Sequence, residues 1–316
     1  MVWQTENPVI VIGGPTASGK SGLALALAHE LGGTVINADS MQLYDALPVL
    51  TAQPSAADKA LAPHLLYGVL PAEQLGTAQL WRQMALDAIA QSRDTGRVPI
   101  VVGGTGLYLR TLMQGLSPIP DIPADVRQRV RALWEEQGPQ AVRQMLAERD
   151  PQIAARLKPG DRQRQLRALE VVEATGRPLS EWQQSEGAPP DFRFLTLLLQ
   201  PDREALRKAI ATRLQAMVAE GALDEVRALL ARHLPADRPV LRALGMPELA
   251  QHVQGKLSLD QALSAATTAT RQYAKRQDTW FRHQFIADYG LKSQFSEKFL
   301  PEILSFIRQN GLTPQS

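Results

Sequence analysis

Several residues and patterns that define other classes of protein are missing from this chain. Its 316 residues include no cysteine, which excludes disulfide bonds, zinc sites built from thiolates and a cysteine nucleophile. Residues 1–6 lack the basic and apolar segments of a secretory leader. No apolar run approaches the roughly 20 residues that a membrane-spanning helix needs. We therefore expect a cytoplasmic protein without a membrane partner.

Metal-ligand patterns are missing too, and lysine is scarce. The five histidines are spread along the chain with no spacing typical of a metal site. Of the 34 basic residues, 8 are lysines and 26 are arginines, while the formal net charge is only +2. Because guanidinium groups pair with phosphates and stack on bases, this excess suits RNA binding. A genome rich in G and C produces the same bias, so composition leaves both explanations open.

A complete phosphate-binding loop is present near the amino end. Between an apolar run at 9–12 and a helix-like stretch at 23–28, it comprises Gly14, Pro15, Thr16, Ala17, Ser18, Gly19, Lys20 and Ser21. The backbone N–H groups of such a loop and the positive end of the following helix dipole bind phosphate, and the lysine adds a point charge. The hydroxyl of Ser21 is placed to hold Mg²⁺. The sequence therefore predicts a phosphorylated ligand, with Mg²⁺ as cofactor.

The distribution of apolar runs predicts an α/β fold. Four short runs lie at residues 9–12, 34–37, 98–102 and 194–199. Helical periodicity separates the first three, which is the pattern of a parallel sheet with helices on its faces. With a phosphate loop after the first strand, this predicts a P-loop NTPase-like core. Residues 203–230 and 259–285 are expected to form long helices around it.

A helical insertion is expected to interrupt this core. Pro118, Pro120 and Pro123 mark a break in the pattern. From 125 to 186 the chain reads as amphipathic, arginine-rich helices without a strand. We therefore divide the chain into a first part of the core at 1–117, an all-helical insertion domain at 118–192, and a second part of the core with C-terminal helices at 193–316.

Asp39 follows the second predicted strand. In open parallel sheets the ligand crevice lies beyond the carboxyl ends of the strands, which places Asp39 within reach of the phosphate loop. A helix cap or a turn explains a lone aspartate equally well. The position makes Asp39 a candidate catalytic residue without deciding between these roles.

Glycines replace the expected acid after the third predicted strand. Hydrolytic phosphate-loop enzymes usually carry a metal-holding acidic residue there, whereas this chain has Gly103, Gly104, Thr105 and Gly106. The missing acid disfavours an ATPase or a motor. The glycines allow another molecule to approach the backbone, with the Thr105 hydroxyl as a hydrogen-bond partner, although a tight turn also requires glycine.

Two segments carry arginines at helical spacing. In the predicted insertion, Arg164 and Arg167 share one helical face with Gln163 beside them. Near the carboxyl end, residues 270–282 interleave basic and aromatic side chains, a mixture suited to phosphates and stacked bases. A solvated charged face is the alternative for both segments.

In this order, the motifs resemble those of the bacterial tRNA dimethylallyltransferases, also called tRNA isopentenyltransferases. The resemblance covers nearly the whole chain and rests on residues 14–21, 39–44, 103–108, 167–170, 271–277 and 279–282. It implies transfer of a dimethylallyl group from dimethylallyl diphosphate to N6 of adenosine 37 in the tRNA anticodon stem-loop, with release of diphosphate. It also implies that tRNA and dimethylallyl diphosphate are the partners, and we expect a monomer.

The resemblance assigns roles in catalysis and donor binding. The predicted catalytic residues are Asp39, which accepts a proton of the adenine amino group, Thr105, which holds Asp39 or the substrate, and Lys20. Lys20 and the loop N–H groups would stabilise the departing diphosphate, with Thr16 and Ser21 helping and magnesium bridging. Arg213 is expected to be a further phosphate clamp.

The resemblance also implies a set of tRNA-binding residues, and the insertion is expected to contact tRNA. In the adenine pocket and along the RNA these residues are Asp39, Ser40, Met41, Gln42, Thr105, Arg127, Gln163, Arg164, Gln165, Leu166, Arg167, Arg271, Lys275 and Arg276. Entry of the adenine into its pocket costs a few kcal/mol of unstacking, which backbone contacts must offset.

The sequence departs from the family pattern at two places. Residues 51–54 read Thr-Ala-Gln-Pro where the family often has Thr-Ala-Lys-Pro, and a frequent histidine pair is reduced to His64.

Two other functions remain possible from the sequence. A P-loop small-molecule kinase would use Asp39 on a substrate hydroxyl, but such a kinase has no need of the arginine-rich segments. An RNA-binding protein gated by a nucleotide would leave Asp39 and Thr105 as turn residues.

Overall fold

Six parallel strands form a single sheet in the computed structural model, which describes residues 8–184 and 187–310. The strands are β1 (Pro8–Gly13), β2 (Gly33–Asn37), β3 (His64–Leu65), β4 (Val98–Gly103), β5 (Arg193–Leu199) and β6 (Tyr289–Leu291). Their order across the sheet is β3-β2-β4-β1-β5-β6, with parallel pairing throughout. The predicted α/β fold is confirmed. The sequence analysis did not predict β3 and β6, which are too short to give an alternating or continuous apolar signal.

Helices from outside residues 114–190 cover both faces of this sheet. In chain order the helices are α1 (Lys20–Leu31), α2 (Ala56–Leu61), α3 (Ala78–Asp94), α4 (Gly106–Gln114), α5 (Ala124–Arg149), α6 (Pro151–Arg156), α7 (Arg162–Thr175), α8 (Leu179–Gln184), α9 (Arg203–Ala219), α10 (Ala222–Ala231), α11 (Met246–Val253), α12 (Leu259–Gln284) and α13 (Leu300–Gln309). The expected single helix at 203–230 was wrong. Gly221, with φ of 108°, ends α9 and begins α10, because only glycine adopts that conformation without strain.

The strands explain why the core has two parts. Successive side chains of a strand point to opposite faces of the sheet. Accordingly Val9 and Val11 pack in an apolar cluster with α3 and α12, while Ile10 and Ile12 pack in a second cluster with α1 and α13. All six residues of β1 are buried, which fits a central strand covered on both faces.

The chain divides into two compact units. One comprises Met1–Met113 with Asp191–Ser316, and the other Gln114–Pro190. The sequence predicts the insertion at 118–192, and its residues 185 and 186 lie outside the described residues. Residues 1–6 lie outside them too. The tRNA-contacting role given to the insertion stays a prediction.

The second unit has an apolar core of its own. Helices α5 to α8 contribute to it, with Val142, Leu146 and Leu169 fully buried. The buried carboxylate of Asp150 accepts hydrogen bonds from Ile153 N (3.1 Å) and Ser180 N (2.9 Å), which joins the starts of α6 and α8. Because a buried charge is costly unless it is hydrogen-bonded, these contacts fix the unit's internal arrangement.

Candidate active site

The phosphate loop lies between β1 and α1, as its sequence predicts. Gly14 and Gly19 have φ of 152° and 90°. A Cβ at Gly14 would lie 2.5 Å from Leu199 O, and one at Gly19 would lie 2.9 Å from Phe295 N. Both positions therefore require glycine for conformation and for space, and the first turn of α1 keeps its N–H groups free of helical partners for an anion.

Two cations face the space beside this loop. Lys20 Nζ donates a hydrogen bond to Pro15 O at 2.7 Å. Desolvation lowers the pKa of Lys20 to about 7; the negative charge of Asp39 opposes this shift and Arg213 adds to it. Desolvation also lowers the pKa of Arg213, on α9. Two desolvated cations close to each other form a site that an anion stabilises.

Two cavities border the phosphate loop. The first cavity, of about 350 Å³, is lined by Thr16, Lys20, Asp39, Ser40, Met41, Gln42, Arg213, Tyr273 and Arg276, among others. The second cavity is lined by residues 17–22, Tyr67, Arg213, Gln294 and Phe295, among others. Lys20, Ser21 and Arg213 line both. The structure thus brings the predicted base and the predicted diphosphate cradle to one place.

Local hydrogen bonds hold Asp39 at the end of β2. Asn37 Oδ1 accepts from Asp39 N at 2.7 Å, and Asn37 Nδ2 donates to Asp39 O at 3.0 Å. Asp39 Oδ1 accepts from Met41 N at 2.9 Å, while its Oδ2 accepts no hydrogen bond from the residues that the structure describes. Asp39 is therefore a turn residue that also lines the first cavity with one carboxylate oxygen unused by the turn. Its catalytic role stays a prediction.

Thr105 contacts the neighbour of Asp39. Its Oγ1 accepts from Ser40 N at 3.0 Å and lies 3.4 Å from Ser40 Oγ. The direct hold on Asp39 that we considered is not formed among the described residues. Tyr273 also lines the first cavity, and its pKa is raised by burial and by the charge of Asp39. Sequence analysis missed this tyrosine because it was one aromatic among several on a long helix.

The glycines after β4 make room for the protein's own groups. A Cβ would lie 2.1 Å from Ala38 O at Gly103, 2.2 Å from Gln277 Nε2 at Gly104 and 2.3 Å from the Trp280 ring at Gly106. At distances below 3 Å a side chain would displace these groups. The glycines thus leave room for the β2 end and for α12, while Gly103 and Gly104 also line the first cavity. The expected approach of another molecule to this backbone stays a prediction.

The amide of Gln42 faces the turn at 47–52. Its Nε2 donates to Thr51 O at 2.9 Å and to Ala52 O at 2.7 Å. Gln42, Ser40 and Met41 all line the first cavity. Their predicted contact with an adenine stays a prediction, but the structure gives Gln42 a fixed orientation.

Some of the residues predicted to contact tRNA on and near helix α7 are exposed, and others are buried. Gln163 and Arg164 are exposed, and Arg167 and Arg127 are partly exposed. The side chain of Gln165 is fully buried and donates to Lys158 O and Pro159 O. Leu166 packs in the core of the second unit with 8% of its surface exposed. Direct RNA contact by these last two side chains is therefore not supported, because they face inward on the helix.

Helix α12 exposes basic side chains and packs two of its aromatic rings against the protein. Arg271, Lys275 and Arg276 are exposed. Phe281 is fully buried in the core, and Trp280 packs on Gly106. Phosphate binding by the exposed basic side chains stays a prediction, whereas base stacking by these two aromatic rings is not supported.

The described residues show neither a membrane-spanning helix nor a cluster of metal-binding side chains. None of their helices is long and apolar enough to span a bilayer. They also contain no group of three or more histidine and acidic side chains arranged to hold a metal ion.

The chain matches two family models. One, described as IPP transferase, matches residues 42–284, and one described as Isopentenyl transferase matches residues 7–62. The tRNA dimethylallyltransferase of Paramagnetospirillum magneticum is 52% identical over 98% of each chain. That of Rhodospirillum centenum is 55% identical over 89% of this chain and 90% of its own.

Solved structures share the fold. A tRNA isopentenylpyrophosphate transferase from Bacillus halodurans aligns with a TM-score of 0.69 and 30% identity over 96% of each chain. A eukaryotic dimethylallyltransferase, described as acting on tRNA, aligns with a TM-score of 0.83 and 27% identity over 98% of this chain and 82% of its own.

Proposed function

This chain belongs to the tRNA dimethylallyltransferases, and we propose that it transfers the dimethylallyl group of dimethylallyl diphosphate to N6 of adenosine 37 in the tRNA anticodon stem-loop. Family membership favours this reaction over phosphate transfer by a small-molecule kinase and over RNA binding without catalysis. It agrees with the resemblance of the sequence motifs.

The reaction sets two requirements for the site. The bond between the allylic carbon and the bridging oxygen of the donor breaks, and a bond forms between that carbon and N6. The diphosphate leaves with the bonding electron pair, and N6 gives up one proton. A site for this reaction needs positive charge at the leaving group and a base at the amine.

The observation that carries the proposal is that both kinds of group line the first cavity. Lys20 and Arg213 lie there as desolvated cations, and the charge of Asp39 acts on the pKa of each. Lys20, Arg213 and the N–H groups at the start of α1 would bind the diphosphate. Asp39 would accept the N6 proton through Oδ2, which supports attack by an amine whose lone pair is delocalised into the ring.

We propose magnesium as the cofactor. Mg²⁺ in such sites takes one or two protein oxygens, while phosphate oxygens and waters complete its shell. The Ser21 hydroxyl lies at the first turn of α1 and lines both cavities beside Lys20, which fits this demand. When bound, the ion would neutralise charge on the departing diphosphate.

Exposed basic residues would hold the tRNA backbone. On α12 these are Arg271, Lys275 and Arg276, and on the second unit they are Arg164 with the partly exposed Arg127 and Arg167. Contacts of this kind supply affinity without reading sequence. They would offset the few kcal/mol needed to unstack the adenine, which Asp39, Ser40, Met41 and Gln42 would receive.

Incubation with an anticodon stem-loop, labelled dimethylallyl diphosphate and Mg²⁺ tests the proposal directly. We expect label in the RNA, located at N6 of adenosine 37 by nucleoside analysis. A stem-loop with guanosine at that position is the control and should stay unlabelled. Unlabelled adenosine RNA, together with phosphate transfer from ATP to a small molecule, would establish the kinase instead.

A further inference from the structure

The buried side chain of Gln277 joins two loops of the first cavity. Gln277 lies on α12 with 6% of its surface exposed. Its Oε1 accepts from Thr16 N at 2.8 Å, and its Nε2 donates to Gly104 O at 2.9 Å. Because an N–H only donates and a carbonyl only accepts, one orientation of the amide satisfies both. A single side chain thus ties α12 to the phosphate loop and to the loop after β4.

Each of these loops serves one reactant of the proposed transfer. Thr16 belongs to the phosphate loop, which would hold the diphosphate. Gly104 precedes Thr105, whose Oγ1 accepts from Ser40 N, the residue after Asp39. A path of hydrogen bonds and peptide bonds therefore runs from the donor cradle through Gln277 to the segment that carries the base.

This path leaves little room for movement. A Cβ at Gly104 would lie 2.2 Å from Gln277 Nε2, so the amide packs directly on the backbone. The hydrogen bond to Gly104 O is buried and the one from Thr16 N is partly buried, so removing the amide leaves a buried carbonyl without its partner. The spacing between the two loops consequently depends on this amide.

We propose that Gln277 is a positioning residue that sets the distance between the bound donor and the acceptor amine. The inference rests on the proposed transferase function. Bond formation needs the reacting atoms about 3–3.5 Å apart, and a displacement of about 1 Å costs roughly 100-fold in rate. Gln277 keeps the allylic carbon within reach of N6, so that N6 captures it and water does not.

Poor alignment can be measured as attack by water on the allylic carbon in place of attack by N6. Water would attack the allylic carbon as the bond to the bridging oxygen breaks, and would then lose one proton to solvent. The products are dimethylallyl alcohol and diphosphate. The ratio of this alcohol to prenylated RNA reports alignment, whereas a loss of folded protein lowers both products equally.

The test compares Gln277→Met with Gln284→Met. Methionine keeps the size of the side chain and removes both hydrogen bonds, and Gln284 is an exposed glutamine near the end of the same helix. For Gln277→Met we expect roughly 10- to 100-fold slower transfer and an alcohol-to-RNA ratio raised by about tenfold. Affinities for inorganic pyrophosphate and for the stem-loop should stay close to those of the unaltered protein, and Gln284→Met should match it throughout.

Two results would overturn the inference. One is slower transfer by Gln277→Met with an unchanged alcohol-to-RNA ratio, and the other is a loss fully explained by weaker pyrophosphate binding. Should Gln277→Met fail to fold, Gln277→Asn decides by the same ratio, because its shorter amide cannot span both partners. A lack of transfer by the unaltered protein would instead refute the proposed function, so the two failures are distinguishable.

Discussion

The cations proposed to bind substrate form two groups that differ in their surroundings. Lys20 and Arg213 lie in the first cavity, where desolvation lowers the pKa of both. Arg271 and Lys275 on α12, and Arg164 on α7, are exposed to solvent. Cations of the first group attract a bound anion strongly because little water screens the charges. Cations of the second group each attract a phosphate weakly, so their contribution depends on the number of contacts.

Because of this difference, binding of the donor and binding of the RNA should depend on different solution conditions. Salt screens exposed charges over about 10 Å at 0.1 M but affects desolvated pairs much less. A desolvated lysine changes its charge near neutral pH, whereas an exposed arginine stays charged. Donor binding should therefore follow pH, and RNA binding should follow salt.

The largest expected effect comes from the carboxylate in the first cavity. Asp39→Asn keeps the oxygen that accepts from Met41 N but removes the base. We expect turnover to fall by roughly 10²- to 10⁴-fold, with RNA affinity unchanged because the exposed cations are intact. Single-turnover kinetics and filter binding measure the two quantities. Asp87→Asn, an exposed change on α3, is the control. A loss confined to RNA binding would contradict the base assignment.

The phosphate loop and the arginine-rich segments also differ in how far sequence predicts them. A loop between strand and helix is a local backbone motif, so residues 14–21 fall in place once their strand and helix are recognised. In a charged helical stretch, the residues that face solvent can be identified only when the apolar core against which the helix packs is known. Gln165 and Leu166 were for this reason grouped with exposed Arg164, although both face inward.

Contacts between distant segments explain the rest of what was missed. Gln277 reaches Thr16 and Gly104 across 261 and 173 residues. Tyr273, from the same helix, lines the first cavity together with Asp39. No local pattern carries such pairings, because the fold alone brings α12 against the sheet. The fold class, in contrast, follows from apolar runs that need only their neighbours.

The next effect is the pH dependence of diphosphate binding. The pKa of Lys20 is about 7 in the free protein, and a bound diphosphate raises it. Affinity from this lysine is present below pH 7 and falls up to about tenfold per pH unit above it, because binding then requires proton uptake. Calorimetry at pH 8 in two buffers of different ionisation enthalpy should detect this uptake. Lys20→Met should abolish it; uptake that persists in this variant would assign the proton elsewhere.

A smaller effect is expected from the exposed cations. Replacing Arg271 and Lys275 with glutamine should reduce the slope of log affinity against log salt by roughly 0.7–0.9 for each lost phosphate contact. Pyrophosphate binding should not change. Arg308→Gln, which changes an exposed residue of α13, is the control. An unaltered slope would mean that these two side chains only face solvent.

Glu225 is a partly buried carboxylate that holds a turn beside the first cavity. From α10, its Oε1 accepts from Val49 N at 2.7 Å and its Oε2 from Leu50 N at 2.9 Å. Burial raises the pKa of Glu225, while these two bonds oppose the shift. The carboxylate thereby holds the start of the turn at 47–52, whose later carbonyls orient Gln42.

Glu225→Gln should have the smallest effect on turnover. The amide keeps one acceptor and loses the charge, so one N–H of the turn is left without its partner, at about 1–3 kcal/mol in unfolding free energy. We expect KM for the stem-loop to rise a few-fold through Gln42, with KM for the donor unchanged, as measured in steady-state assays beside a urea unfolding curve. Asp224→Asn, its exposed neighbour, is the matched control. Equal changes in both KM values would show that the turn serves the whole cavity and not the acceptor side alone.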